Sequence, residues 1–412
     1  MRRFLPALLI VLGLAGHLFL QARPALRKIE AGGAGRDYAS YYYAVQVAAD
    51  GGDPYDTAAL SARAAADRTR KAVHPFFYPP PFLLSAWWSR PLTLAEGYRH
   101  AFFINEALLA GCLAAGAWGL GVPTWAMALL LCTWTPIPDN AWMGQANLWA
   151  LLPALAGLVL AERRRDRAAE IAAGVLVGTA AMMKMSPALF LAWWALRRRW
   201  VPVGSAVGTA IALSLGALAV VPLDAQLRFY TEILPGFSKG DYHGLSVSIS
   251  LPANHSIPDL FDRAFPSAGR LLSDNARHAS AATSLGLLGL WAWFAREATD
   301  PGAALMALAV LMVALPVYTY EHHLVFLVVA MGVAAGRVAA ESRHASRAKA
   351  IVLWVTLTLC WFVLAWPLTW LRAVEKLLPA GLSWLTRESK TMGEGLLFLL
   401  LLRASVQPSR QK

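Results

Sequence analysis

Residues 147–185 read NLWALLPALAGLVLAERRRDRAAEIAAGVLVGTAAMMKM. Two apolar runs, about Asn147–Ala161 and Ala168–Met185, flank a linker that holds Arg163, Arg164, Arg165 and Arg167. Runs of this length approach the ~20 residues a helix needs to cross a ~30 Å hydrocarbon core. A short arginine-rich linker between two such runs marks a cytoplasmic turn. The pair therefore reads as an inward and an outward crossing, which sets Asn147 and Lys184 at the same, outer end.

The pattern extends in both directions. Hydrophobic residues fill 57% of the 412 positions and charged residues only 15%, well below the roughly 25% charge of a soluble domain. A soluble core has no room for so much apolar surface. The sequence predicts an all-α polytopic membrane protein, a single membrane-embedded domain over 1–412 with about 11–13 transmembrane helices of near-spanning length. The net charge of +12 sits in short linkers, at Arg2-Arg3, Arg163–Arg167, Arg197–Arg199 and Arg337–Lys349. Topology accounts for that charge, and no nucleic-acid partner is needed. Cys112, Cys132 and Cys360 lie in apolar blocks without paired spacing and read as packing residues.

Parity then places the connections. Helix 1, about Phe4–Ala22, has no small-x-small cleavage pattern after it and reads as an uncleaved anchor with a cytoplasmic N-terminus. Residues 23–78 form a first extracytoplasmic loop, with amphipathic stretches at Tyr38–Ala49 and Thr57–Lys71 suited to the membrane interface. A second such loop spans 223–276. The segment 79–89, between Pro79-Pro80-Pro81 and Pro91, is too short to span and reads as re-entrant; 101–118 and 122–137 read as crossings, and 393–403 is again short.

The unusual polar residues then collect on the outer rim: Asp37, Tyr78, Gly144-Gln145-Ala146-Asn147, Lys184, Asn254-His255-Ser256 with Arg263, and Glu321-His322-His323. Each has a plain reading alone, as a solvated loop acid, a snorkelling lysine or a helix cap. Together they place carboxylates, cations and amides at membrane depth, where polar groups are costly and face a functional cavity. That inventory suits a hydroxyl acceptor, a sugar and an anionic phosphate. Glu321, His322 and His323 are adjacent rather than at i, i+4, so one helix face cannot present all three to a metal, and no cofactor is read. Gly-x-Gly-x-x-Gly, P-loop and Asp-x-Asp patterns are absent, which argues against a nucleotide-sugar donor. A lipid-borne donor needs no soluble domain to hold it.

These motifs resemble glycosyltransferase family 87, polytopic enzymes of the GT-C superfamily typified by bacterial alpha-mannosyltransferases that use polyprenyl-phosphate-mannose. The resemblance runs from about Asp37 to Pro367. It rests on Asp37 with Tyr41-Tyr42, Gly52-Asp53-Pro54-Tyr55, Tyr78-Pro79-Pro80, Gly144-Gln145-x-Asn147, Lys184-x-x-Pro187, Asn254-x-Ser256 with Arg263, and Glu321-His322-His323. It implies a GT-C-type fold and an inverting transfer of a sugar, mannose by default, from a polyprenyl-phosphate donor to a lipid or glycan hydroxyl at the extracytoplasmic face of the cell membrane. Asp37 matches the catalytic acid of the first extracytoplasmic loop and is implied as general base. Lys184, Arg263, His322 and His323 are the cations for the donor phosphate; Tyr42, Tyr78, Gln145, Asn147, Asn254 and Glu321 fall to the sugar or acceptor. The rival is a transporter or flippase of an anionic lipid or small solute. It draws on Asn105 and Glu106 inside a spanning segment, but transporters carry polar groups near the midplane and often paired halves.

Overall fold

A computed structural model of the chain describes residues 5–32, 35–69, 71–241, 247–267, 269, 271–379 and 382–407. Arg2-Arg3 lies outside them. Helices build the whole architecture, and no strand occurs among the described residues. The first is α1, Leu5–Glu30, which runs eight residues past the expected end at Ala22. A π-helical turn at Leu18–Ala22 widens the backbone just ahead of Pro24, where a regular turn would set the proline ring against a carbonyl. The helix therefore continues through the proline.

Next come α2 (Arg36–Ala49) and α3 (Thr57–Ala66). The first of them does not fit the interfacial reading, while α3 buries only Leu60 and Ala64. Every residue of α2 from Tyr38 to Ala48 is buried, because its tyrosines pack on all sides: Tyr38 stacks on Tyr98 at 5.4 Å and Tyr41 meets Phe82 at 4.9 Å. Tyrosine hydroxyls that find partners let a helix bury both faces. The short α4 (Phe82–Ala86) follows, as the proline-bounded segment 79–89 requires, and then α5 (Leu94–Leu120), whose start carries a Thr93/Glu96 capping box. The expected crossing at 122–137 is instead two pieces, α6 (Thr124–Thr133) and α7 (Pro136–Met143). Pro136 cannot continue the first helix but is well placed to begin the second.

The helical bundle continues with α8 (Asn147–Arg163), α9 (Arg167–Met183), α10 (Ser186–Leu196) and α11 (Trp200–Ala217). It is completed by α12 (Ile257–Ala264), α13 (Asp274–Arg296), α14 (Pro301–Ala314), α15 (Glu321–Ser342), α16 (Arg347–Ala365) and α17 (Ser389–Ser405). Among the described residues, α1, α5, α11, α15 and α16 are long and apolar enough to cross a membrane unaided, while α6, α10 and α14 are apolar but shorter. The protein is thus an all-α polytopic membrane protein.

Antiparallel packing gives the bundle two chemically distinct ends. The α8/α9 pair puts Asn147 and Lys184 together at one end, where Lys184 Nζ donates to Asn147 Oδ1 at 2.5 Å. At the other end Arg199 joins Glu162 and Glu170, at 3.0 and 2.9 Å. The α15 helix obeys the same polarity, with Glu321 and His322 at its start and Arg337 paired to Asp300 near its finish. Basic linkers and functional residues therefore sit about one helix length apart, ~25 Å for the 17 residues of α8.

Close approach of α9 to α11 depends on Gly174-x-x-x-Gly178, the small-residue spacing that lets membrane helices touch. A Cβ at Gly178 would lie 2.5 Å from the Ala206 carbonyl oxygen, whereas Gly208 on α11 has nothing described within 4 Å. Gly178→Val should destabilise the protein by about 1–3 kcal/mol through overpacking, while Gly208→Val should leave the thermal unfolding midpoint in detergent nearly unchanged. Equal midpoints for the two variants would contradict this packing.

Candidate active site

The site starts from a backbone junction between α2 and α7. Gly35 takes φ +78°, and its N–H donates to the Trp142 carbonyl at 2.9 Å. Gly144 ends α7 at φ +70°, and a Cβ there would lie 2.5 Å from the Tyr38 Cβ. Both positions require the left-handed conformation and the small size of glycine. Tyr98 locks the joint by donating to the Ala141 carbonyl at 2.9 Å. The first turn of α2 is thereby pressed against Gln145.

Gln145 holds the Asp37 carboxylate. Its Nε2 donates to Asp37 Oδ2 at 2.6 Å, while its Oε1 accepts from the hydroxyls of Tyr78 at 2.9 Å and Tyr41 at 3.1 Å. An ionised carboxylate can only accept, so it fixes which way the amide faces, and the two phenols donate to the oxygen that remains. His74 Nδ1 lies 3.3 Å from Asp37 Oδ1. Burial works against the charge on Asp37. The hydrogen bond of His74, the fields of His322 and His74, and the Gln145 amide outweigh it, so the carboxyl sits below the ordinary aspartate range. Its place in the first turn of α2 suits a negative charge as well.

Asn147 does for the cation what Gln145 does for the acid. Its Nδ2 donates to Asn140 Oδ1 and to the His322 carbonyl, both at 2.9 Å, and its Oδ1 receives Lys184. No carboxylate lies within ion-pair distance of Lys184 among the described residues. Asp37, Tyr78, Gln145, Lys184, Glu321, His322 and His323 all line one cavity of about 1130 Å³.

Other expected site residues have different work. Arg263 does not line the cavity: Asp259 and Glu388 both hold it at 2.8 Å, and it donates to the Leu251 carbonyl. Its charge is neutralised, which corrects its assignment to the donor phosphate. Tyr42 turns away and donates to the Leu92 carbonyl at 2.8 Å; Tyr41, a residue earlier and about 100° around the helix, faces the cavity instead. Asn254 is buried and ties the Ile249 and Val317 carbonyls to the Thr319 N–H, a structural clamp. Asn147 is likewise fully buried and acts through Lys184. Asn105 donates to the Gln145 carbonyl at 3.2 Å, and Glu106 pairs with His17 at 2.6 Å. The two polar residues that favoured a transporter are thus both engaged in internal contacts.

Sequence reasoning missed His74 and Lys390. His74 shares the Tyr78-Pro79-Pro80 loop, a signal that was present but faint. Lys390 is fully buried and binds Glu321 Oε2 at 2.7 Å, while His255 Nε2 meets Oε1 at 2.6 Å. It also donates to the Leu364 and Trp366 carbonyls. It lies just ahead of 393–403, the stretch whose sequence reads as too short to span, in the first turn of α17.

With this geometry in place, a family model described as Glycosyltransferase family 87 matches residues 76–319, more than half of the chain. The match takes in Tyr78, Gln145, Asn147 and Lys184; Asp37 and the Glu321-His322-His323 turn lie on either side of it. No curated protein and no solved structure matches the chain.

The Glu321–Lys390 pair has a direct energetic consequence. Removing one member of a buried ion pair costs about 3–5 kcal/mol, whereas removing both costs much less. Lys390→Met should therefore lower thermal stability sharply, and the added change Glu321→Gln should recover a substantial part of it. A double variant no more stable than Lys390→Met would show that the charges are not coupled.

Proposed function

The chain belongs to glycosyltransferase family 87 and is a membrane glycosyltransferase, and from that premise we propose that it moves a sugar, mannose by default, from a polyprenyl-phosphate donor to a lipid or glycan hydroxyl with inversion at the anomeric carbon. The observation that carries this reading is the pairing of Lys184, a cation without a carboxylate partner among the described residues, with Asp37 in one cavity. An anionic leaving group and an acceptor proton are what such a pair is equipped to receive.

In the proposed step Asp37 takes the proton from the acceptor hydroxyl as that oxygen forms its bond to C1. The bond from C1 to the phosphate oxygen breaks, and its electron pair leaves with the phosphate. Lys184 stabilises the anion, with His322 and His323 beside it; preorganised charge in a water-poor cavity is strongly effective for this purpose. Gln145 keeps Asp37 aimed without protonating it, and Tyr78 keeps Gln145 aimed. Glu321, held by His255 and Lys390, contributes hydrogen-bond acceptors at the wall.

A lipid donor is supported by a second feature. An apolar groove of about 470 Å³ runs between α6 and α16, lined by Trp125, Trp354, Trp361 and Phe362, and it shares Pro367 with the main cavity. A prenyl chain in that groove would deliver its phosphate to the cavity from within the bilayer. The orientation we propose puts the cavity, with the loops 23–78 and 223–276, on the extracytoplasmic side of the cell membrane and the N-terminus inside, because the arginine-rich linkers sit at the opposite end.

Two measurements test the proposal. In a background lacking Cys112, Cys132 and Cys360, the exposed substitution Ala58→Cys should react with an impermeant thiol reagent on intact cells, and Arg343→Cys should react only after permeabilisation. The reverse pattern would overturn the orientation. For the chemistry, Asp37→Asn keeps shape but cannot accept a proton, so turnover with polyprenyl-phosphate-mannose should fall by about 10²–10⁴-fold while donor binding persists. Asp50, which pairs with Arg63, Asp53, which pairs with Arg228, and Asp56, which caps α3, serve as controls and should lose far less as Asn variants. Because the carboxyl of Asp37 lies below the ordinary range, the base stays ionised on acidification until the pH drops under about 3.9. An Asp37-dependent loss of turnover centred between pH 5 and 6 would contradict this assignment.

A further inference from the structure

Three carboxylates line the cavity among the described residues: Asp37, Glu321 and Asp139. Asp37 is held by Gln145 and His74, and Glu321 by His255 and Lys390. The side chain of Asp139, on α7, has no hydrogen-bond or ion-pair partner among the described residues; its backbone N–H donates to the Thr135 carbonyl. Trp142 and Met143, at i+3 and i+4 from Asp139, line the cavity too, so one face of α7 looks into the space. Trp142 remains 37% exposed. Lys28 of α1 braces its ring, with Nζ 4.5 Å from the ring centroid, and is not itself a cavity residue.

The chemistry of a ligand for this face follows from what surrounds it. A carboxylate offers only acceptors, so the group that satisfies it must bring O–H or N–H donors. A cationic amine is disfavoured, because Arg36, Lys184, Lys239 and Arg277 line the same cavity. A neutral polyol remains. The indole beside the acid presents the electron-rich face of an aromatic ring, which suits the C–H face of a sugar. Asp139 lies about 6 Å along the α7 axis before Met143, at ~1.5 Å per residue. Gln145, which holds Asp37, follows two residues later.

We infer that Asp139 and Trp142 form an acceptor-sugar subsite, in which Asp139 accepts from two hydroxyls of a glycosyl ring that lies against the Trp142 indole, with a third hydroxyl directed toward Asp37. The inference rests on the glycosyl-transfer reading above and adds to it the chemical class of the acceptor, a glycoside rather than a simple lipid alcohol. Asp139 is a binding residue here and takes no proton in the reaction.

The test uses full-length protein in lipid nanodiscs and a panel of hexyl glycosides of mannose, glucose, galactose and arabinose, with binding read by saturation-transfer NMR and calorimetry. At least one glycoside should bind the wild type. Its dissociation constant should rise about tenfold or more in Asp139→Asn and in Trp142→Ala, and stay close to wild type in Trp142→Phe, which keeps a stacking ring. Binding of polyprenyl phosphate in the same preparations should be unchanged, which separates loss of the subsite from loss of the fold. The inference is overturned when no glycoside of the panel binds the wild type, or when Asp139→Asn binds the best of them as tightly as the wild type does. Glycoside binding that depends on Asp139 in a protein that transfers no sugar from any polyprenyl-phosphate donor would sustain the subsite and sink the donor reading instead.

Discussion

One carboxamide organises the reactive end of this molecule: Gln145 donates to Asp37 while accepting from Tyr41 and Tyr78. Those three contacts can exist together only because Gly35 and Gly144 let the start of α2 close on the end of α7 to the distance of a backbone hydrogen bond. A side chain at either glycine would part the two helices and withdraw the amide from the acid. Asn147, two residues on, then secures Lys184 and the His322 carbonyl. A single four-residue turn thus sets both the acid and the cation, through neutral amides.

That neutrality separates the ligand-facing charges from the structural ones. Glu321 and Arg263 are matched by counter-charges, Lys390 and Glu388, and a matched charge in a low-dielectric interior is largely spent on the fold. Lys184 is held instead by the neutral Asn147 amide, and Asp37 by the Gln145 amide with His74 3.3 Å away, so neither is matched by a buried Lys–Glu or Arg–Glu pair. Burial works against the Asp37 charge, but the His74 hydrogen bond, the fields of His322 and His74 and the Gln145 amide together keep its carboxyl below the ordinary range. Charges arranged in that way are costly to bury, and they keep their full effect for whatever enters the cavity.

The fold was legible in the sequence where composition decides it. Blocks of near-spanning length and arginine-rich linkers identify a polytopic helical protein and predict that Asn147 and Lys184 share an end. Boundaries were less legible where local backbone chemistry intervened, as at Pro24, where a π turn carries α1 onward, and at Pro136, where one expected crossing becomes two helices. The burial of α2 was hidden because a run of tyrosines looks amphipathic until the hydroxyls of Tyr41, Tyr42 and Tyr43 find partners inside the fold. In the site, Asp37, Gln145, Lys184 and His322 stood out as polar residues at membrane depth. The mistakes have specific causes. Choosing Tyr42 over Tyr41 is a 100° error of helical phase. Arg263 could have been discounted from the sequence, since Asp259 lies at i−4 on the same helix. Lys390 could not have been found without the packing of α17, because nothing in its own segment indicates that Glu321 waits for it.

The claim at the centre of this account is that sugar transfer takes place between Asp37 and Lys184. A cryo-electron microscopy structure of the Asp37→Asn protein bound to polyprenyl-phosphate-mannose tests it most directly. The account predicts the donor phosphate against Lys184 and His322, the sugar C1 facing the substituted side chain at position 37, and the prenyl chain in the groove beside Trp361. A phosphate seated against Lys239 and Arg277 instead, with the sugar remote from position 37, would contradict it.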